Sequence, residues 1–270
     1  MTRFGKSGAG PGEFARIRVV VAGPGDTLVI LAGNAVHVVS PEYEHMRQYQ
    51  DPQPGPASFD FTMLRDGRLL RQGSEPNTIT LTTLAGDSAG TITLQGVDTT
   101  FKCGECGRRV YRESHAGGTI WSGTFNQYAV EEHALDGTFL RRITREAEWF
   151  PPWGDEPRGE DELAEFSVFR LVGALQDSTG TLWTHTAGIA NVDSLRKVMA
   201  QSGTMPTDES QMFQLMVTNV EAIDPDAGEL FGRLTLQGLV LPLVRGYAAQ
   251  LVVDPSGDWA WRILRYRLQR

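Results

Sequence analysis

Cys103-Gly104-Glu105-Cys106 is the sharpest chemical motif of the chain and holds both of its cysteines. A Cys-x-x-Cys turn can supply two corners of a tetrahedral zinc site. The other ligands would have to be histidine or carboxylate, with His115 nearest along the chain and His133 next. The same spacing can form a redox disulfide, although no βαβ pattern of the thioredoxin kind surrounds it. A plain pair at a hairpin tip is the third reading. All three stay open, with Cys103 and Cys106 as the candidate metal ligands.

The histidines are His37, His45, His115, His133 and His185. None stands at the His-x-x-x-His or His-Glu-x-x-His spacing that a helical zinc-hydrolase site requires. His37 and His185 fall in expected strands, where a lone histidine without local partners reads as structural. No Gly-x-x-x-x-Gly-Lys-Ser/Thr loop occurs, so phosphate-loop chemistry is not indicated. The acidic run Asp155–Glu162 lacks the alternating ligands of a calcium loop and reads as a solvated loop. No cofactor is indicated. The aromatic cluster Trp149, Phe150 and Trp153, set among prolines beside that acidic run, is the candidate binding surface, because rigid rings give contact area at low entropy cost. A plug on the core is the competing reading of the same cluster.

The elements that must carry these residues are short strands. Ile17–Val21, Thr27–Leu31 and Ala35–Val39 are β-branched runs separated by Gly23-Pro24-Gly25-Asp26 and Gly33-Asn34. Such runs across turn residues read as hairpins, and three in succession form a meander. No helical pattern separates them, which disfavours a βαβ sheet. The turn-then-strand unit returns at Asp66-Gly67, Gly117-Gly118, Ser178-Thr179-Gly180 and Ser256-Gly257, with the first two copies about 40 residues apart, near the usual period of a propeller blade. Outer turns appear at Asp136-Gly137 and Asp224–Gly228.

This rhythm predicts an all-β fold: a β-propeller of four-stranded antiparallel blades, six-bladed or a five-to-six-bladed variant with an incomplete blade. We read one domain over 1–270, with blades at roughly 14–50, 56–95, 98–145, 166–236 and 237–270. Residues 1–5 are a candidate strand for completing the last blade. Two loop insertions fall at 151–165 and 191–211, the second holding an amphipathic helix over Val192–Met199.

Phe4-Gly5-Lys6-Ser7-Gly8-Ala9-Gly10-Pro11-Gly12-Glu13-Phe14 resembles the glycine-rich segment ahead of a blade in bacterial six-bladed propellers of the NHL-like (TolB-like) group. Tyr128–Ile143 is similar to that group's outer hairpin. The resemblance covers most of the chain in rhythm, and its specific motif is the N-terminal one. It implies a periplasmic or cell-envelope setting, although Met1–Lys6 shows no apolar run of a signal peptide.

A net charge of −8 argues against a nucleic-acid partner, because such proteins carry a basic face. No apolar run approaches the ~18 residues of a membrane-spanning helix, so no membrane insertion is expected. The function read from these features is a binding or interaction scaffold for a protein or small-molecule ligand. The alternative is a lactonase-like or lyase-like propeller enzyme with a metal in its channel, fed by inner-strand carboxylates such as Asp60.

Overall fold

Side-chain caps set the strand rhythm. Asp66, Asp136, Asp177 and Asp224 each accept, through Oδ1, the backbone N–H two positions on, at 3.0, 2.9, 2.8 and 2.9 Å. Thr83 does the same through its hydroxyl toward Ala85, at 3.1 Å. Such contacts mimic a backbone turn and reverse the chain, and the β-branched runs on either side extend into strands.

The computed structural model describes residues 8, 10–14, 17–50, 62–72, 75, 77–97, 112–114, 117–123, 127–150, 169–189, 191–202, 215–243, 247–253 and 259–265. Among them the chain forms five antiparallel sheets, each a meander in sequence order. It is a β-propeller. Blade 1 consists of β1 (Ile17–Ala22), β2 (Leu28–Ala32), β3 (Ala35–Val39) and β4 (His45–Gln50). Blade 2 is β5 (Thr62–Met63), β6 (Leu69–Gln72), β7 (Thr78–Thr82) and β8 (Ser88–Thr93). Blade 3 is β9 (Arg112–Glu113), β10 (Thr119–Gly123), β11 (Ala129–Ala134) and β12 (Phe139–Thr144). Blade 4 is β13 (Arg170–Gln176), β14 (Leu182–Ile189), β15 (Met216–Ile223) and β16 (Leu230–Gln237), with helix α1 (Val192–Ser202) between its second and third strands. Blade 5 has three strands among the described residues: β17 (Val240–Pro242), β18 (Tyr247–Val253) and β19 (Trp259–Arg265).

The expected ring of six or five-to-six blades is thus five sheets among the described residues. The wide turn spacing late in the chain comes in part from α1, which lengthens blade 4 instead of adding a blade. The candidate strand at residues 1–5 lies outside the described residues.

The innermost strands adjoin in chain order: β5 lies against β1 and β9, and β13 against β9 and β17. Apolar clusters fill the spaces between blades. Val29, Leu31 and Val36 of blade 1 meet Leu69 of blade 2. Leu70, Ile79 and Leu81 of blade 2 meet Ile120 of blade 3. Trp121, Val130 and Ile143 of blade 3 meet Leu171, Leu182 and Ile223 of blade 4. Val172 and Ala187 of blade 4 meet Leu241 and Leu251 of blade 5. Blades 2, 3 and 4 are therefore buried on both flanks by their neighbours, as the propeller architecture requires.

Polar contacts cross the same seams. The Tyr128 hydroxyl, from blade 3, donates to Glu221 Oε2 and lies 2.7 Å from Thr184 Oγ1, both in blade 4. Burial pushes the Tyr128 hydroxyl well above its ordinary value, and the Glu221 carboxylate pushes it further, so it serves as a donor. Arg145 reaches the same buried carboxylate at 3.3 Å. On the other flank of blade 3, His133 Nε2 lies 3.0 Å from the Gln95 carbonyl.

Gly137 marks how closely blades 2 and 3 approach. Its φ is +91°, and a Cβ there would stand 2.1 Å from the Thr93 carbonyl oxygen. Backbone cannot yield as a flexible side chain can. Gly137→Ala is expected to destabilise the fold by about 2–4 kcal/mol through strain and overlap. That corresponds to a Tm lower by roughly 5–15 °C for a domain of this size, measured by calorimetry on the full chain.

Candidate functional site

β9 is two residues long and carries the most informative side chains of the inner wall. Arg112 pairs across from Trp121, and Glu113 across from Ile120. Alternation along a strand sends neighbours to opposite faces, so Arg112 is turned toward blade 4 and Glu113 toward blade 2. Glu113 Oε2 accepts the Arg65 backbone N–H at 2.6 Å, and the Gly118 N–H also reaches the carboxyl. The side chain thereby clips the first turn of blade 2 to that of blade 3. Burial raises its proton affinity above the ordinary carboxylate value, against the two backbone donors.

These groups open on a cavity of about 880 Å³ at the ends of the innermost strands, bounded by all five blades. Blade 1 contributes Asp26 and its turn, blade 2 Thr62 and Arg65, blade 3 Arg112 and Glu113, blade 4 Gln176, and blade 5 Tyr247. Pro24, Met63 and Leu175 supply apolar wall. The blade 1 turn is held by Thr27, whose hydroxyl donates to the Pro24 carbonyl at 2.8 Å. Gln176 is held between blades, accepting from Trp121 Nε1 at 3.5 Å and donating to the Gly180 carbonyl at 3.1 Å. Arg112 is buried, 6% exposed.

Behind this wall His185 of β14 is fully buried, with Nδ1 3.1 Å from the Val240 carbonyl of blade 5. Burial takes its pKa down to about 4, and the Arg112 charge works in the same direction, against the hydrogen bond to Val240. The imidazole is neutral above that pH and ties blade 4 to blade 5. The described cavity lining bears both charge signs. The Ser114 hydroxyl of the lining turns to the Gly117 carbonyl at 3.5 Å. Among the described residues no group of three or more His, Cys, Asp or Glu side chains could hold a metal ion.

Of the binding and metal candidates singled out by sequence, Trp149 and Phe150 are among the described residues and do not line this cavity. Phe150 is buried, and Trp149 packs in the cluster between blades 3 and 4. The Trp149 ring lies 5.5 Å from Tyr128 and 5.4 Å from Phe169, with the Arg233 guanidinium 6.0 Å from its centroid. Trp153, Cys103, Cys106, His115 and Asp60 lie outside the described residues. Arg112, Glu113, Arg65 and Tyr247 were missed, although β9 directly precedes the Gly117-Gly118 turn. A residue just before an inner turn must line the mouth of the ring.

No protein-family model and no curated protein matches the chain. Solved structures are similar in fold. A DUF4221 family member from Bacteroides vulgatus superposes with a TM-score of 0.54 at 10% identity, covering 96% of this chain and 81% of that one. A Bacteroides fragilis protein gives 0.53 at 10% identity, with 94% and 71% covered. Hydrazine synthase from Kuenenia stuttgartiensis gives 0.47 at 12% identity, with 86% of this chain covered. The chain spans 54% of that last protein's length. At such identities the likeness shows the fold alone. No helix among the described residues is long and apolar enough to cross a membrane.

Glu113 and His185 give opposite pH signatures. Glu113, whose pKa is raised on folding, favours the fold most below its unfolded value and less as pH rises through the folded one. Glu113→Gln should therefore be tolerated at neutral pH, while Glu113→Ala, which strips two backbone donors of their acceptor, should cost about 1–3 kcal/mol. Urea unfolding of both variants checks this. His185, whose pKa is lowered, favours the fold fully above its unfolded value of 6.5 and progressively less down to about 4. Unfolding free energy should fall over that window in the wild type, and more gently in His185→Gln.

Proposed function

We propose that the protein is a ligand-binding propeller that holds a small polar molecule in its central cavity. The observation that carries this reading is a cavity mouth to which all five blades contribute, lined by the charged residues Arg65, Arg112, Asp26 and Glu113. Concave sites with a few convergent polar groups among apolar wall are the usual form of small-molecule sites. Charges of both signs suit a ligand that carries both, such as an amino acid, or an anionic ligand rich in hydroxyls, such as a sugar acid. Met63 and Leu175 supply apolar contact, and Tyr247 and Gln176 supply hydrogen-bonding groups.

The glycine-rich run Phe4–Phe14 supports placing the chain near the NHL-like propellers, whose loops on a rigid ring suit recognition. The aromatic cluster is a weaker basis for a partner surface, since Phe150 and Trp149 are engaged in packing between blades. The enzyme alternative needs a metal-holding donor set, and the described residues supply none.

Thermal-shift screening of the full chain against amino acids, hydroxy acids and sugar acids tests the proposal. A ligand present at about 100 times its Kd adds about 2.7 kcal/mol, which raises Tm by roughly 5–10 °C. We expect one class to give such a shift, Arg112→Leu to abolish it, and Trp149→Ala to keep it. A shift that survives Arg112→Leu, or the absence of any shift across the three classes, would overturn the reading.

A further inference from the structure

The glycine-rich turn Gly10–Phe14 takes no part in the cavity. It lies on blade 1, on the face opposite the one that meets blade 2. Phe14 is buried there with Ile30, Ala32 and Val39. Glu13 shapes the turn: its N–H donates to the Gly10 carbonyl at 2.9 Å, and its carboxylate accepts the Gly10 N–H at 3.0 Å. A Cβ on Gly12 would stand 3.7 Å from His45 Cβ, so the backbone of the turn rides directly over the start of β4.

Two histidines lie against this turn. His37 of β3 is 3% exposed. Its ring centroid is 5.0 Å from Phe14 and 5.9 Å from His45, with both contacts edge-on. Nδ1 of His37 and Nε2 of His45 are buried without a hydrogen-bond partner among the described residues. From β2, Ile30 stands opposite His37, and from β4 Gln48 does. Arg47 pairs across from Val38 and lies on the other face, beside Tyr49. Glu44 precedes His45 in the exposed turn. The turn itself brings Phe14 and Glu13, the latter engaged with Gly10.

We propose that His37, packed between Phe14 and His45, is an acid-sensitive latch, which holds the Gly10–Phe14 turn on blade 1 while its ring is neutral and releases it when the ring takes up a proton. A proton on His37 would place a charge among Phe14, Ile30 and Val39 with no acceptor for its new N–H. Lifting the turn gives both rings water at the cost of one buried aromatic side chain. Burial already holds His37 below its ordinary value of 6.5, and His45 acts in the same direction. A lowered value means that the closed form binds fewer protons than the open one. The hold is therefore complete above that ordinary value and weakens as pH falls below it.

Hydrogen exchange read by mass spectrometry on the full chain, corrected for intrinsic rates, tests the latch at about pH 7.5 and about pH 5.5. The wild type should exchange at least ~10-fold faster over residues 10–14 at the lower pH, with β10 and β11 unchanged. The double variant His37→Leu with His45→Leu should stay protected at both. Should that variant not fold, Phe14→Ala should show the fast exchange already at the higher pH, with little further change on acidification. Unchanged protection in the wild type, or acid opening that persists in the double variant, overturns the proposal. Protection of the turn by one equivalent of zinc in the wild type but not in the double variant also overturns it, since the pair would then be a metal site.

Discussion

Each blade is a twisted sheet with apolar residues on both flanks, and no single blade can bury both. Leu69 points at blade 1 and its chain neighbour Leu70 at blade 3; Ile120 and Trp121 divide in the same way between blades 2 and 4. Burying one such side chain fully is worth about 1.5–3 kcal/mol, so every seam contributes only when the sheets on both sides are in place. Radial stacking is the arrangement in which this need is met, since each inner blade finds a neighbour on either side. The cavity is its by-product, because five innermost strands cannot converge on the axis without leaving space.

Blade 3 is tied to its neighbours more closely than by apolar packing. Toward blade 4, Tyr128 and Arg145 meet on the buried Glu221 carboxylate, and Arg141 of the outer strand reaches the Pro225 carbonyl at 2.9 Å. Toward blade 2, His133 reaches Gln95, and Gly137 lies against Thr93. Buried polar groups are costly when unpaired, so these links add directional constraint to seams that apolar contact alone would leave free to slide. Glu113 extends the constraint to the mouth of the cavity, where it joins the turns of blades 2 and 3.

The strand rhythm was legible because turn chemistry and β-branched runs are local. Asp66, Asp136, Asp177 and Asp224 cap the turns they mark, and the helix expected over Val192–Met199 is α1. The blade count was less legible. A hairpin lengthened by α1 and a missing strand signal look alike along a sequence, since spacing does not record which side of a sheet an insertion leaves from. The cavity was nearly invisible. Arg112 and Glu113 lie in a two-residue strand with no periodicity to read, and their importance comes from residues far away in sequence, Arg65 and His185 among them. Trp149 and Phe150 drew attention by type alone, and only the packing of Tyr128 and Phe169 around them shows what they touch.

Strand direction separates the two ends of the ring. The innermost strands of blades 1 to 4 end at the cavity mouth, while α1 leaves blade 4 from the opposite end. It joins two strands whose ladder runs unbroken from Leu182↔Ile223 to Ile189↔Met216. Closing a longer connection there costs little, because loop entropy grows only slowly with length. That hairpin is therefore a place where foreign sequence can be grafted, or where natural divergence can accumulate, without disturbing the cavity at the other end.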